Sequence, residues 1–162
     1  MNIHTPIRRH KALVSFSKEH HFALLLIWKI RQGLSTAVSA ERICNYVLYF
    51  FREDLESHFR EEEQLLFCRL PAEDPFRQQA ESEHRSIRKL VAGIAEKKGD
   101  PVLLLRFANE LEKHIRFEER VLFNHLQQYI DPETLEKIET RFSGSDPNAG
   151  EKWEDKFWET EK

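Results

Sequence analysis

An all-α, antiparallel up-down four-helix bundle, with a short extra C-terminal helix and a tail, is the fold class predicted by this 162-residue sequence. Three observations predict it. Apolar residues recur at helical spacing over long stretches, and no stretch reads as a strand. Asp precedes Pro at Asp74-Pro75, Asp100-Pro101 and Asp131-Pro132, each pairing a good N-cap with the first helical position. The connections are short, which favours antiparallel neighbours.

The first helix runs over about residues 16–33 and ends at Gly33, a residue suited to a helix stop. The second, about 40–70, starts after Ser39 and is stopped by Pro71. The third, about 75–98, carries the stripe Phe76, Ala80, His84, Ile87, Val91 and Ile94, and Gly99 closes it. The fourth, about 101–130, carries Leu104, Phe107, Leu111, His114, Glu118, Val121 and Leu122. A shorter fifth helix follows over about 132–142. Residues 1–142 thus read as one domain, and 143–162 as a Gly/Ser/Pro linker with an aromatic tail. Trp153, Phe157 and Trp158 share a face if the tail is helical. That face either docks on the bundle or serves as a lid or protein-binding segment.

Composition narrows the function classes. Apolar residues make up 40% and charged residues 33%, with five Gly and twelve Phe, which suits a soluble helical protein. The net charge of −3 is spread over mixed-sign faces without a basic stripe, so nucleic acid is not an expected partner. The basic N-terminus has no apolar run long enough for a signal peptide, and no window approaches a membrane span. Cys44 and Cys68 form no CxxC pair, and a reducing compartment suits them. These features point to the cytoplasm. Cys44 reads as core, and Cys68, six residues past Glu62, as a candidate redox-active thiol near the site.

The apolar stripes contain polar intruders. His20 falls in line with Phe16, Leu24 and Ile27; His58 and Glu62 with Phe51, Leu55, Leu65 and Leu66; His84, His114 and Glu118 lie on the last two stripes. A buried charge or imidazole is costly unless paired or bound to metal. Four helical residues turn the chain by ~400° and advance ~6 Å, so His58 and Glu62 point the same way, as do His114 and Glu118. The context repeats. HFREEEQLLFCRL (58–70) and HIRFEERVLFNHL (114–126) share His-x-Arg-x-Glu-Glu, then two aliphatics and Phe. EHHFALLL (19–26) and EHRSIRKL (83–90) both open with Glu-His. Two helical hairpins would each contribute one lone His and one His-x-x-x-Glu. Four imidazoles and two carboxylates would then converge inside the bundle.

This pattern resembles the hemerythrin-like, or HHE cation-binding, domain over about residues 13–130. Its four-His, two-Glu subset is most similar to the di-iron domain of bacterial iron-centre repair proteins. The resemblance implies a four-helix bundle holding two non-haem irons, oxo- or hydroxo-bridged, with His20, His58, Glu62, His84, His114 and Glu118 as ligands. His20 is chosen over His21 because its Glu-His register matches Glu83-His84. Oxygen-carrying hemerythrins have a second His one turn away on the third helix, where this chain has Ala80 and Arg88. They also use a longer His-to-Asp spacing on the last helix, which would fall on Glu119. Asp54 and Glu110, one turn before His58 and His114, are candidate hydrogen-bond acceptors for ligand histidines. Glu61 and Glu63 read as solvated, His125 as a polar residue at the bundle end, and His4 and His10 as surface residues.

If each iron takes two His and both Glu bridge, about two positions per ion stay open. Such a centre suits O2, NO or peroxide, as a sensor, binder or reductant, or iron handling in repair. Zinc or manganese suits the same donors, and a metal-stapled interaction module is the alternative reading. A ferritin-like carboxylate centre fits less well, since those bundles use Glu-x-x-His and mostly carboxylate donors.

Overall fold

Each of the five expected helices forms. In the computed structural model, which describes residues 8–144 and 152–159, helix α1 spans Lys11–Ser35. It starts earlier than the apolar pattern suggests because His10 caps it: the His10 Nδ1 accepts the Ala12 N–H at 3.1 Å. The second rod is continuous but not uniform. It comprises α2 (Ala40–Phe50), a π turn (Phe51–Leu55), α3 (Glu56–Glu61), a second π turn (Glu62–Leu66) and a 3-10 turn (Phe67–Arg69). Helix α4 spans Pro75–Glu96. Helix α5 (Pro101–Phe117) runs through a π turn (Glu118–Leu122) into α6 (Phe123–Tyr129), and α7 spans Pro132–Arg141. Asp74, Asp100 and Asp131 each accept backbone N–H groups of the helix they precede. Among the described residues there is no strand, and no helix is long and apolar enough to cross a membrane.

The π turns explain where the apolar stripes depart from expectation. A π turn inserts one residue, which rotates everything after it by about 100°. Both ligand-candidate glutamates open such a turn. The inward face after Glu62 therefore passes to Leu66, Phe67 and Leu70 rather than Leu65, which is half-buried. After Glu118 it passes to Leu122, Phe123 and Leu126, and Val121 stays 37% exposed. Leu24 and Phe76, also expected inward, are exposed.

Helix α5 packs on α1 and α4, α2 packs on α1, α4 and α5, and α7 packs on α1. The buried apolar residues fall into two groups. One is built around Leu26, Ile30, Val47, Phe107 and Leu111, the other around Phe16, Phe67, Phe123 and Leu126. The polar intruders lie between these groups in every rod, so a slab of imidazoles and carboxylates divides the core.

The tail from 152 to 159 is a series of turns rather than the helix that a shared aromatic face suggested. Phe157 is buried against α1 and α2, and Trp153 and Trp158 pack beside Tyr46. Lys29, itself buried, donates to the Tyr46 hydroxyl at 3.0 Å and lies 3.9 Å from the Trp158 ring centre, a cation–π contact. Asp155 accepts two hydrogen bonds from Arg42. His4 and linker residues 145–151 lie outside the described residues.

Gly33 makes this docking fit. A Cβ there would stand 2.9 Å from Ile43 Cδ1 and 2.9 Å from Phe157 Cε2. Alanine suits a helix better than glycine by up to ~1 kcal/mol, but overpacking costs about 1–3 kcal/mol. Gly33→Ala is therefore expected to lower stability in urea titration by roughly 1 kcal/mol and to red-shift tryptophan emission as Trp153 and Trp158 loosen. Unaltered emission would mean that the tail does not depend on this contact.

Candidate metal centre

The six intruders meet. His20 comes from α1, His58 from α3, His84 from the middle of α4 and His114 from the last turn of α5. Glu62 and Glu118 are the first residues of two π turns. All six are buried, and both glutamates are 0% exposed. One group gathers His20, His58, Glu62 and Glu118, and another gathers Glu62, His84, His114 and Glu118. Within each, one donor atom per residue lies within 4.8 Å of the others. Both carboxylates belong to both groups. Glu62 Oε1 lies 2.9 Å from His58 Nε2 and 3.5 Å from His84 Nε2. Glu118 Oε1 lies 2.6 Å from His114 Nε2 and 3.6 Å from His20 Nε2. His21, the alternative to His20, is exposed.

Each imidazole faces the cluster with Nε2 and turns Nδ1 to an outer carboxylate. His20 Nδ1 donates to Glu119 at 2.6 Å, His84 to Glu63 at 2.9 Å and His114 to Glu83 at 2.8 Å. His58 Nδ1 lies 3.4 Å from Glu19. A carboxylate acceptor fixes the proton on Nδ1 and leaves Nε2 with its lone pair directed inward. The pattern obeys the sequence duplication: Glu63 on His84 mirrors Glu119 on His20, and Glu19 on His58 mirrors Glu83 on His114. Phe67 and Phe123 repeat the symmetry, packing on His84 and His20 with ring centres 5.1 and 5.6 Å away.

These outer carboxylates correct the sequence expectation. The acceptor for His114 is Glu83 of α4 rather than Glu110, and Glu19 of α1 stands 3.4 Å from His58 Nδ1. Glu63 is not a free solvated residue: it bonds His84 and takes two hydrogen bonds from Arg88, at 2.7 and 2.9 Å. Glu119, at the longer spacing of the oxygen carriers, holds His20 and is clamped by Arg9. The signal for all four lay in the repeat itself. The Glu of each Glu-His, and the second Glu of each Glu-Glu, recur as faithfully as the histidines do.

Charge follows the same layout. Burial opposes ionisation of Glu63 and Glu119, but bonds to His84 and Arg88, and to His20, Ser17 and Arg9, outweigh it and hold both carboxyls at about 2. Burial also works against Glu62, yet His58 and His84 keep it below the usual carboxylate range. The equivalent histidines diverge. Burial depresses both, but Glu62 and Glu19 lift His58 to about 10, whereas burial and the neighbouring His84 leave His114 at about 4. We take the neutral imidazole as the working state of both, because a cation between the Nε2 atoms supplies the positive charge that the carboxylates otherwise draw from a proton.

The residues fit a metal. The four Nε2 atoms, both Glu62 oxygens and both Glu118 oxygens are buried without a hydrogen-bond partner among the described residues. Each such atom costs roughly 1–3 kcal/mol if left unsatisfied. Imidazole nitrogen with bridging carboxylate oxygen is a donor set that a transition metal satisfies.

The remaining candidates lie elsewhere. His125 pairs with Asp74 at 2.7 Å at the start of α4, and His10 caps α1. Glu61 reaches Ser143 at the surface. Cys44 is fully buried and its thiol is pushed up chiefly by burial, while Cys68 is exposed and donates to the Gln64 carbonyl.

Residues 12–126 match the family described as the Hemerythrin HHE cation binding domain. No curated protein and no solved structure matches the chain.

The outer carboxylates carry a pH signature in the metal-free protein. The folded-state pKa values of Glu63 and Glu119 are depressed, so their contribution is complete above about 4.5 and fades as pH falls towards about 2. Glu63→Gln with Glu119→Gln is expected to cost on the order of 2 kcal/mol per site at neutral pH, after allowance for partial exposure. It should also flatten the acid side of the stability profile. Urea titrations between pH 2 and pH 7 measure both, and an acid slope equal to wild type contradicts the assignment.

Proposed function

We propose, from the premise that the chain belongs to the hemerythrin HHE cation-binding family, that the cluster holds two iron ions and that the pair binds or reacts with O2, NO or peroxide. His20 and His58 would hold one ion, His84 and His114 the other, and Glu62 and Glu118 would bridge them. One observation supports this above the rest: the orphaned Nε2 and carboxylate atoms fall into two overlapping groups that share both glutamates. The antiparallel up-down four-helix arrangement and a first unit over 1–142 belong to the same reading. So does a cytoplasmic location, which suits the unpaired Cys44 and Cys68.

Two nitrogens and two shared carboxylates give each ion about four protein donors, short of the roughly six of an octahedral site. A bound, unsaturated iron pair supplies redox and Lewis-acid chemistry to a small ligand. The chain does the rest. Glu19, Glu63, Glu83 and Glu119 orient the imidazoles, and Arg9 and Arg88 hold Glu119 and Glu63 in place. The two apolar groups on either side of the slab keep bulk water out. On α4, one turn either side of His84, Ala80 is buried and Arg88 is engaged by Glu56 and Glu63, so neither adds a donor. That open side favours sensing, ligand reduction or iron handling over reversible oxygen carriage.

Protein purified without oxygen should contain about two iron atoms per chain, and exposure to O2 should raise a visible absorption that dithionite abolishes. Glu62→Ala with Glu118→Ala is expected to lose the metal. A colourless zinc protein with metal-dependent melting would replace iron reactivity with a structural role. Equal metal content in wild type and the double variant would sink the site.

A further inference from the structure

The two halves of the cluster differ on their outer sides, and we propose that the cleft lined by Glu19, Ala23, Phe50, Asp54, Leu55 and His58 is the route by which metal cations load the centre. The inference rests on the metal-centre reading above and adds where the ions come in.

The duplication supplies an internal control. Aligning Glu19-His20 with Glu83-His84 sets Ala23 against Ile87. Aligning His58 with His114 sets Asp54 against Glu110 and Leu55 against Leu111. Ile87 is buried in the second half and carries a longer side chain than Ala23, which lines the cleft in the first. The outer contacts differ in the same sense. Glu83 lies 2.8 Å from His114 Nδ1, but Glu19 lies 3.4 Å from His58 Nδ1. On the cleft side the imidazole is therefore the most loosely held of the four.

The lining is also chemically selective. Asp54 is only 5% exposed, and the π turn Phe51–Leu55 sets its direction. Glu19 and the 5%-exposed His58 complete the polar side, and Ala23, Phe50 and Leu55 the apolar side. The cavity volume is ≈ 10 Å³, room for about one water-sized group. A fully hydrated divalent cation cannot pass intact. It must shed waters while crossing a layer that is otherwise hydrocarbon, where an unsolvated charge is prohibitively costly. Carboxylate oxygens at Asp54 and Glu19 replace those waters one by one and hand the ion to His58. A neutral diatomic ligand needs no such oxygens, which is why the carboxylates point to a cation.

The test follows Co²⁺ uptake by the metal-stripped full chain in stopped flow, reading the rate from visible absorption and the end point from metal content. Asp54→Asn is expected to slow loading about tenfold, and because the carboxylate is buried the gap should persist as ionic strength rises. Ala23→Ile, which copies the second half, should slow it at all salt concentrations. Glu110→Gln should load at the wild-type rate, and all three variants should reach wild-type metal content. Wild-type rates in Asp54→Asn would overturn the route. So would slowing by Ala23→Ile alone, which marks a passage indifferent to charge. A wild-type chain that takes up no Co²⁺ overturns the metal-centre reading itself, a result distinct from either.

Discussion

Two carboxylates with no access to water, Glu62 and Glu118, are the constraint around which this chain is arranged. Neither can be ionised in a hydrocarbon interior without compensation, and neither has a hydrogen-bond donor of its own among the described residues. Four imidazoles surround them, one from each of the rods. Three of the imidazoles bond their far nitrogen to a further glutamate, the fourth has Glu19 standing 3.4 Å away, and two of these glutamates are fixed by arginines. Charge thus alternates outward from the centre in shells: acidic, neutral nitrogen, acidic, basic. The outer carboxylates are only partly exposed, and at Glu63, Glu83 and Glu119 the bonds to histidine, with arginine at Glu63 and Glu119, outweigh the burial that opposes their charge.

The slab also decides how the apolar core is divided. A single continuous core would leave no room for the polar layer, and the chain instead builds two cores, one on each side. Helix propensity and capping fix the rods, and the two cores fix their packing. The polar layer between them sets which residues must face inward at mid-length.

Much of this was legible in the sequence. Helix number followed from stripe spacing and from Asp-Pro at three starts, whose side chains do cap. Convergence of His20, His58, Glu62, His84, His114 and Glu118 followed from the duplicated motif. The outer carboxylates were missed because they act across helices: a scan along one helix finds Asp54 and Glu110 beside the histidines, whereas Glu19 and Glu83 reach them from neighbouring rods. The π turns were missed because a one-residue insertion within a helix leaves no mark in composition. Only the later displacement of the stripe, from Leu65 to Leu66 and Phe67 and from Val121 to Leu122 and Phe123, reveals it. The aromatic tail was read by periodicity, which cannot distinguish a helix from a series of turns that buries the same rings.

The matched π turns at Glu62 and Glu118 restrict how this lineage can change length. Losing one residue from either would restore a regular helix locally and swing every later side chain of that rod to a new face, so a deletion there is far costlier than one in a loop.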